Sequence, residues 1–179
     1  MGAPVTQPTD LNFLSPLGFK FTIGKLPNFD YFVQAFDFPA LYLNETSDLQ
    51  TPFEKVIIPG DHVTWDHFRV TFKIDENMKG YFELYNWITG VGFPDSFDQY
   101  AAVANTAPGT GQGVLVDADL IILDSVMRPN IRVTFSDVLP VSLSGFNFDS
   151  TNVDVKYLTA TAEFKYREYT YVMLPRGST

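Results

Sequence analysis

The only imidazoles in the chain are His62 and His67, and each follows an aspartate, Asp61 and Asp66. Imidazole beside carboxylate is the raw material of a metal site or of general acid–base chemistry. Residues five apart on a strand point to opposite faces, so this pair cannot converge on one ion without a bulge. Both are read as surface or turn residues. Gly109-Thr110-Gly111-Gln112-Gly113 has the glycine content of a phosphate-cradling loop. It lacks the Lys-Ser/Thr of a P-loop, and no helical pattern opens after it. Asp75-Glu76-Asn77 lacks the spacing and the glycine of a calcium loop and suits a helix start instead. Ser142-Leu143-Ser144-Gly145 lacks the first glycine of a nucleophile elbow. Asn44-Glu45-Thr46 formally matches a glycosylation acceptor, but without a signal peptide the match carries no weight. The residues assemble no catalytic, cofactor or metal site, and the chain is read as no enzyme.

The unusual feature is aromatic: 17 Phe, 9 Tyr and 2 Trp in 179 residues. Aromatics favour strands and bury a large area each. They could form a stacking platform for sugars or bases, but most Phe positions sit on strand faces that should be buried in a core or a subunit interface. Lys and Arg number 12 against 21 Asp and Glu, a net charge of −9. That balance opposes a nucleic-acid-coating role, which needs clustered cations. The absence of Cys excludes a disulfide framework, a thiolate metal site and a cysteine nucleophile. No apolar run approaches the roughly 18 residues that span a bilayer. Met1 to Pro8 has neither the basic region nor the apolar core of a signal peptide. Gly2 and Thr6 fall where a myristoylation signal wants them, but Pro4 and the lack of a polybasic stretch weaken that reading. No stable membrane association is expected.

The elements that would position these residues are mostly strands. Residues 1–16 read as an N-terminal arm, 17–173 as a single β domain and 174–179 as a tail. Phe19–Ile23 alternates with period two. Gly24–Asn28 reads as a turn, and Tyr31–Phe38 as a strand with Phe32, Phe36 and Phe38 on one face. Residues 40–60 read as a projecting hairpin or strand-loop-strand. Thr64–Ile74 is a strand with Phe68, Val70, Phe72 and Ile74 on one face. A helix is expected over about 76–89, capped by Asp75 and closed by Gly90, then a long loop over about 91–117. Further strands are expected at Asp119–Asp124, Ile131–Phe135 and Leu143–Phe148. The last, Tyr157–Val172, would reach roughly 50 Å if straight, so it must bend or pair beyond its own subunit. Seven or eight antiparallel strands with one flanking α-helix give a mainly β chain, a barrel or sandwich. The overlong strand and the projection favour a self-assembling binding or structural protein.

Two stretches carry a family resemblance. Ile58-Pro59-Gly60-Asp61 leads through Phe68-Arg69-Val70-Thr71-Phe72-Lys73-Ile74 to Asp75-Glu76, and then to Asn86-Trp87-Ile88. This resembles the segment of contractile phage tail tube proteins in which a Gly-Asp turn precedes a strand, an acidic pair and a helix ending near a Trp. Val133-Thr134-Phe135 through Leu139-Pro140 to Gly145 is similar to the family's C-terminal half, where a short strand, a Leu-Pro turn and a loop precede a closing strand. The order of elements agrees from about residue 17 to 172. The resemblance implies six copies forming a ring, strands of each copy lining a continuous inner barrel, and rings stacking through a projecting hairpin or loop. It implies a virion location in a phage tail, assembled in the host cytoplasm. The implied partners are other copies of itself, tail sheath, baseplate and neck proteins, and DNA passing through the lumen without specific binding. Related rings occur in contractile injection systems.

On that reading Tyr42, Leu43, Asn44, Glu45, Asp48, Phe53 and Lys55 are candidates for ring-to-ring contact. Asp37, Asp117, Asp119, Glu163 and Glu168 are candidate lumen-facing acids, which would repel phosphate and let DNA slide. The alternatives are a ring at a tube end, either a baseplate initiator or a neck or tail terminator, and a carbohydrate-binding β-sandwich of a tail fibre with exposed Trp/Tyr platforms.

Overall fold

The computed structural model describes residues 12–43, 49–50, 55–56, 60–92, 98, 100–101, 113–151 and 156–175. Most of the expected N-terminal arm, the tip of the 40–60 segment, most of the 91–117 loop and the end of the C-terminal tail lie outside these residues. In chain order the elements are β1 (Phe19–Ile23), α1 (Pro27–Tyr31), β2 (Val33–Asp37), β3 (Leu41–Leu43), β4 (Leu49–Gln50), β5 (Lys55–Val56), β6 (Val63–Trp65), β7 (Phe68–Lys73), α2 (Lys79–Gly92), β8 (Val116–Leu123), β9 (Pro129–Leu143), β10 (Thr159–Lys165) and β11 (Glu168–Met173). Every strand pair is antiparallel. The chain is mainly β, with α2 flanking the strands.

Seven strands form one sheet that folds into two layers. One layer runs β1-β8-β9-β11 and the other β9-β10-β7-β2. β9 belongs to both: its first half pairs with β8 and β11, its second half with β10. Asp137 sits between the halves with φ of 57°, a left-handed conformation that redirects the strand. The facing strand breaks at the same point. Arg167 donates its N–H to the Ser136 carbonyl at 3.0 Å, and its guanidinium lies 3.0 Å from the Asp137 carboxylate. So the alternating stretch from Tyr157 bends at Tyr166–Arg167 and stays paired to β9 on both sides of the bend.

Period-two alternation decides what the layers bury. Phe68, Val70 and Phe72 on β7, Ala160, Ala162 and Phe164 on β10, Phe21 on β1, Leu120 on β8 and Phe135 on β9 are all buried. Phe68 is the hub. Its ring lies 4.8 Å from Phe135, 5.1 Å from Phe164 and 5.7 Å from Phe21. These offset and edge contacts lock the layers face to face. The ends of the strand path, β1 and β2, approach with Phe21 and Phe36 rings 5.1 Å apart but do not pair, so among the described residues the sheet does not close on itself.

Local chemistry moves several boundaries from their expected places. The Gly24–Asn28 turn gives way to α1, because Pro27 is pre-set for a first helical position and Phe29 drives into the core 4.7 Å from Phe72. The following strand therefore starts at Val33. Met78 has φ of 54°, so α2 begins at Lys79 and runs through Gly92, with Gly90 buried inside it rather than closing it. Asp75 still serves the helix by accepting the Gly80 N–H at 3.4 Å. Gly80 is where α2 meets α1: a Cβ there would stand 3.3 Å from the Phe29 backbone. The expected strand Thr64–Ile74 splits into β6 and β7 where Asp66 accepts the His67 N–H. Leu139-Pro140 makes no turn. It lies within β9 at a register shift opposite Phe164, where β9 has β10 as a neighbour but no longer β8, a setting that tolerates a missing N–H. Phe146 and Phe148 follow β9 without being strand.

The hub makes a direct prediction. Phe68→Ala should cost about 3–5 kcal/mol, while Phe148→Ala, at an exposed ring, should stay within about 0.5 kcal/mol. Urea denaturation measures both. A Phe68→Ala cost no larger than that of Phe148→Ala would remove the aromatic hub as the fastening between layers.

Candidate functional site

Chemistry does not converge anywhere among the described residues: no group of three His, Cys, Asp or Glu side chains is placed to hold a metal ion. His62 is exposed beside Asp61, its Nδ1 3.3 Å from the carboxylate. The tryptophans offer no open platform. Trp87 is buried and donates its indole N–H to the Val114 carbonyl at 3.1 Å, and Trp65 packs edge-on to Tyr169 at 4.8 Å. What the fold does expose is strand edge, outward sheet face and a small projection.

Among the described residues, the β1-β8-β9-β11 layer has two strands with a single partner each, β1 and β11. The Leu174 N–H bonds to the Asn130 carbonyl at 2.8 Å, and in an antiparallel ladder alternate residues turn their backbone groups toward the partner. Tyr169, Tyr171 and Met173 therefore direct theirs away from β9, where no described strand meets them. Tyr171, Val172 and Met173 are also 67%, 59% and 73% exposed.

Register sorts the candidate acids onto two faces. Thr22, Asp119, Thr134 and Thr170 form one row across the outward face of this layer. Asp119 accepts the Thr134 hydroxyl at 2.6 Å. Lys20, Ile121, Arg132 and Val172 form the row on one side of it, and Glu168, opposite Ser136, lies in the row on the other side. Asp117 sits beside the bend and accepts the Asp137 N–H at 3.2 Å. Asp37 and Glu163 lie on the other layer, both in register with Arg69. Glu163 binds the Arg69 guanidinium and accepts the Ser142 hydroxyl at 3.0 Å, and these bonds hold its pKa below the usual carboxylate range. The five acids thus do not share a surface. Lys20 and Arg132, which sequence reasoning did not single out, belong to the face of Asp119 and Glu168. Their alternation was readable, but their layer was not.

The projection is built from two short ladders, β3 with β6 and β4 with β5. Tyr42 and Leu43 are 55% and 56% exposed on β3. Lys55 lies in β5 opposite Gln50. Asn44, Glu45, Asp48 and Phe53 fall outside the described residues.

The open edge of β1 ends at a half-buried carboxylate. Asp30 on α1 accepts the Ile23 N–H with both oxygens at 2.9 Å. Burial pushes its pKa up to about 7; the Ile23 bond opposes this, and the nearby Glu83 adds to it. Glu83 accepts the Asn28 amide through one oxygen and buries the other without a partner among the described residues.

The chain resembles several solved structures. Over 97% of its length and 100% of the other chain, it matches the tube-terminating cap of the anti-feeding prophage at 12% identity and a TM-score of 0.64. It matches a chain of the extended sheath–tube complex of PVC, an extracellular contractile injection system, at 10% identity and a TM-score of 0.55, covering 90% of this chain and 92% of that one. Hcp1 from Flavobacterium johnsoniae matches at 14% identity and a TM-score of 0.51, covering 89% and 94%. No protein-family profile and no curated protein matches the sequence.

Asp30 sets a pH dependence. Its folded pKa lies above the ordinary value of 3.8, so between about pH 4 and 7 the folded state binds more protons and stability falls as pH rises. Asp30→Asn keeps an acceptor for Ile23 and removes the charge. Urea midpoints should then exceed the parent's at pH 8, with a flatter slope between pH 5 and 8. An unchanged slope would mean that Asp30 does not titrate there.

Two layers joined through one bent strand, with α2 flanking them, are therefore the fold that the described residues of this chain share with these tube and cap proteins of contractile injection systems.

Proposed function

We propose that this chain is a structural subunit of a phage-tail-like tube, six copies closing into a ring and rings stacking into a hollow rod. The observation that carries the reading is the four-stranded layer with open edges at β1 and β11. Its strands alternate in direction, so β11 of one copy set beside β1 of the next is again antiparallel. Repetition around an axis then leaves no free edge, which removes the hazard of stray pairing. The fold likeness to tube-system proteins supports the same role.

In such a ring the outward face of this layer lines the bore. Asp119 and Glu168, with Asp117 at the bend, become lumen residues and share the wall with Lys20 and Arg132. Asp37 and Glu163 belong to the other face. A mixed wall of short hydrogen-bonded side chains holds a passing polyanion less than a basic one would. Sheath, baseplate and neck proteins are the proposed partners, DNA the proposed passenger, and a tail or tail-like particle the location. A second reading, a ring that ends the tube, is favoured by the full-length match to a tube-terminating cap.

Negative-stain microscopy of the purified protein separates these. Rods of stacked six-fold rings indicate a tube subunit, and single rings that do not extend indicate a cap. Monomers at high concentration overturn both. Tyr171→Pro removes an edge N–H without removing a bond to β9, and its predecessor stays in an extended conformation that proline allows. It should keep the fold by circular dichroism and lose the rings. Intact rings would place the subunit contact elsewhere.

A further inference from the structure

The open edge of β1 is closed at one end by its own chain. The Gly18 carbonyl accepts the Leu123 N–H at 2.9 Å. Gly18, Lys20 and Thr22 therefore turn their backbone groups toward β8, and Phe19, Phe21 and Ile23 turn theirs away. Ile23 is already served on that outer side. Its carbonyl accepts the Leu26 N–H at 2.9 Å, and its N–H goes to both oxygens of Asp30. Asp30 thus stands where the carbonyl of an added strand would lie, and leaves Phe19 and Phe21 for such a strand to pair with. The charges that act on Asp30 are Glu83 from α2 and Lys20 from β1. Glu83 gives one oxygen to the Asn28 amide and buries the other without a partner among the described residues. Lys25, in the turn between β1 and α1, reaches instead to the Gly113 carbonyl at 2.6 Å and lies 4.8 Å from the centre of the Trp87 ring.

We infer that Asp30 makes assembly pH-dependent: the contact between copies takes up a proton at the junction of α1, α2 and β1, so copies associate in mild acid and part as pH rises. The inference rests on the ring reading above, in which β11 of one copy lies beside β1 of the next, and names a regulation of that contact. Pairing at the edge brings a second chain up to Asp30. It takes water from a carboxylate that is already half-buried, which favours the neutral form. Antiparallel pairing also sets Met173 of the incoming strand toward Phe19, and the start of that strand, Glu168, toward Asp30. Glu168 is half exposed, and its partner Arg167 is shared with Asp137. The contact therefore gathers three carboxylates, Asp30, Glu83 and Glu168, against Lys20 and a shared Arg167. Within one chain β1 and β11 lie three strand spacings apart, about 14 Å, so Glu168 comes beside Asp30 across the contact and not within the subunit. The pKa of Asp30, about 7 in the single subunit, rises further in the ring. The assembled state then binds more protons, and association weakens as pH climbs through the neutral range.

Sedimentation velocity of the full-length protein, over a dilution series between pH 5.5 and 8.5, measures the association. One further unit of pKa makes each contact roughly sevenfold tighter at the acid end of this range than at the alkaline end. Asp30→Asn keeps an acceptor for Ile23 and takes up no proton, so it should associate at pH 8.5 as tightly as the parent does at pH 5.5. Glu168→Gln should flatten the profile in part, and the two changes together should do no more than Asp30→Asn alone. Glu163→Gln, on the other layer, should keep the parent's profile. Circular dichroism at each pH checks that the subunits stay folded. Should Asp30→Asn fail that check, Glu168→Gln, altered at an exposed position, decides. Rings whose association does not change with pH, or a slope that both variants leave intact, overturn the inference and leave the ring reading standing. No association at any pH overturns that reading together with this inference.

Discussion

Strand β9 has to serve two layers at once, and the rest of the molecule is arranged around that requirement. Fifteen residues of continuous strand cannot stay flat in a domain this small. Asp137 takes the left-handed conformation that turns the strand, and the long C-terminal segment breaks opposite it at Tyr166–Arg167. The Arg167 guanidinium on the Asp137 carboxylate and the Arg167 N–H on the Ser136 carbonyl tie the two breaks together. An exposed ion pair contributes little to stability by itself. Its role here is geometric: it keeps two bends in register so that one sheet can fold over on itself.

Once the sheet folds over, its inner faces must be filled. Phenylalanine does this with large rings that tolerate offset and edge contacts, and the small Ala160 and Ala162 leave room for them. The same folding produces the open edges. β8 follows β9 only as far as Val138, and among the described residues β11 has no neighbour on its far side. Edges are hazardous in a monomer and useful in an assembly, because the same unpaired groups that invite aggregation specify a partner when every copy presents them alike. The helices matter less for the layers than for where the chain can go. α1 buries Phe29, α2 crosses it at Gly80, and Asp30 caps the end of β1 from this junction.

A fold matched at 10–14% identity fits this physics. Alternation, one bend and a packed aromatic interior constrain residue class at many positions and residue identity at few. Chains can diverge nearly everywhere and still solve the same packing problem, which is why pattern persists where direct sequence similarity fades.

Much of this was legible in the residues themselves. Alternation in Phe19–Ile23, Thr64–Ile74 and Tyr157–Val172 dictated strands and their buried faces, because side chains on a strand alternate whatever surrounds them, although the structure divides the last two. The excess length of 157–172 demanded either a bend or pairing beyond the subunit, and the bend is what the structure shows. Tertiary structure decided the rest. It made α1 from a Pro-Asn turn because Phe29 had a cavity to fill, and it carried β9 through Pro140 because proline there forfeits no ladder bond to β8. It also divided five similar acids between two faces and set Lys20 and Arg132 among them. Alternation tells a residue which side of its own strand it occupies. Which strands lie beside one another, and hence what that side faces, depends on contacts between residues distant in sequence.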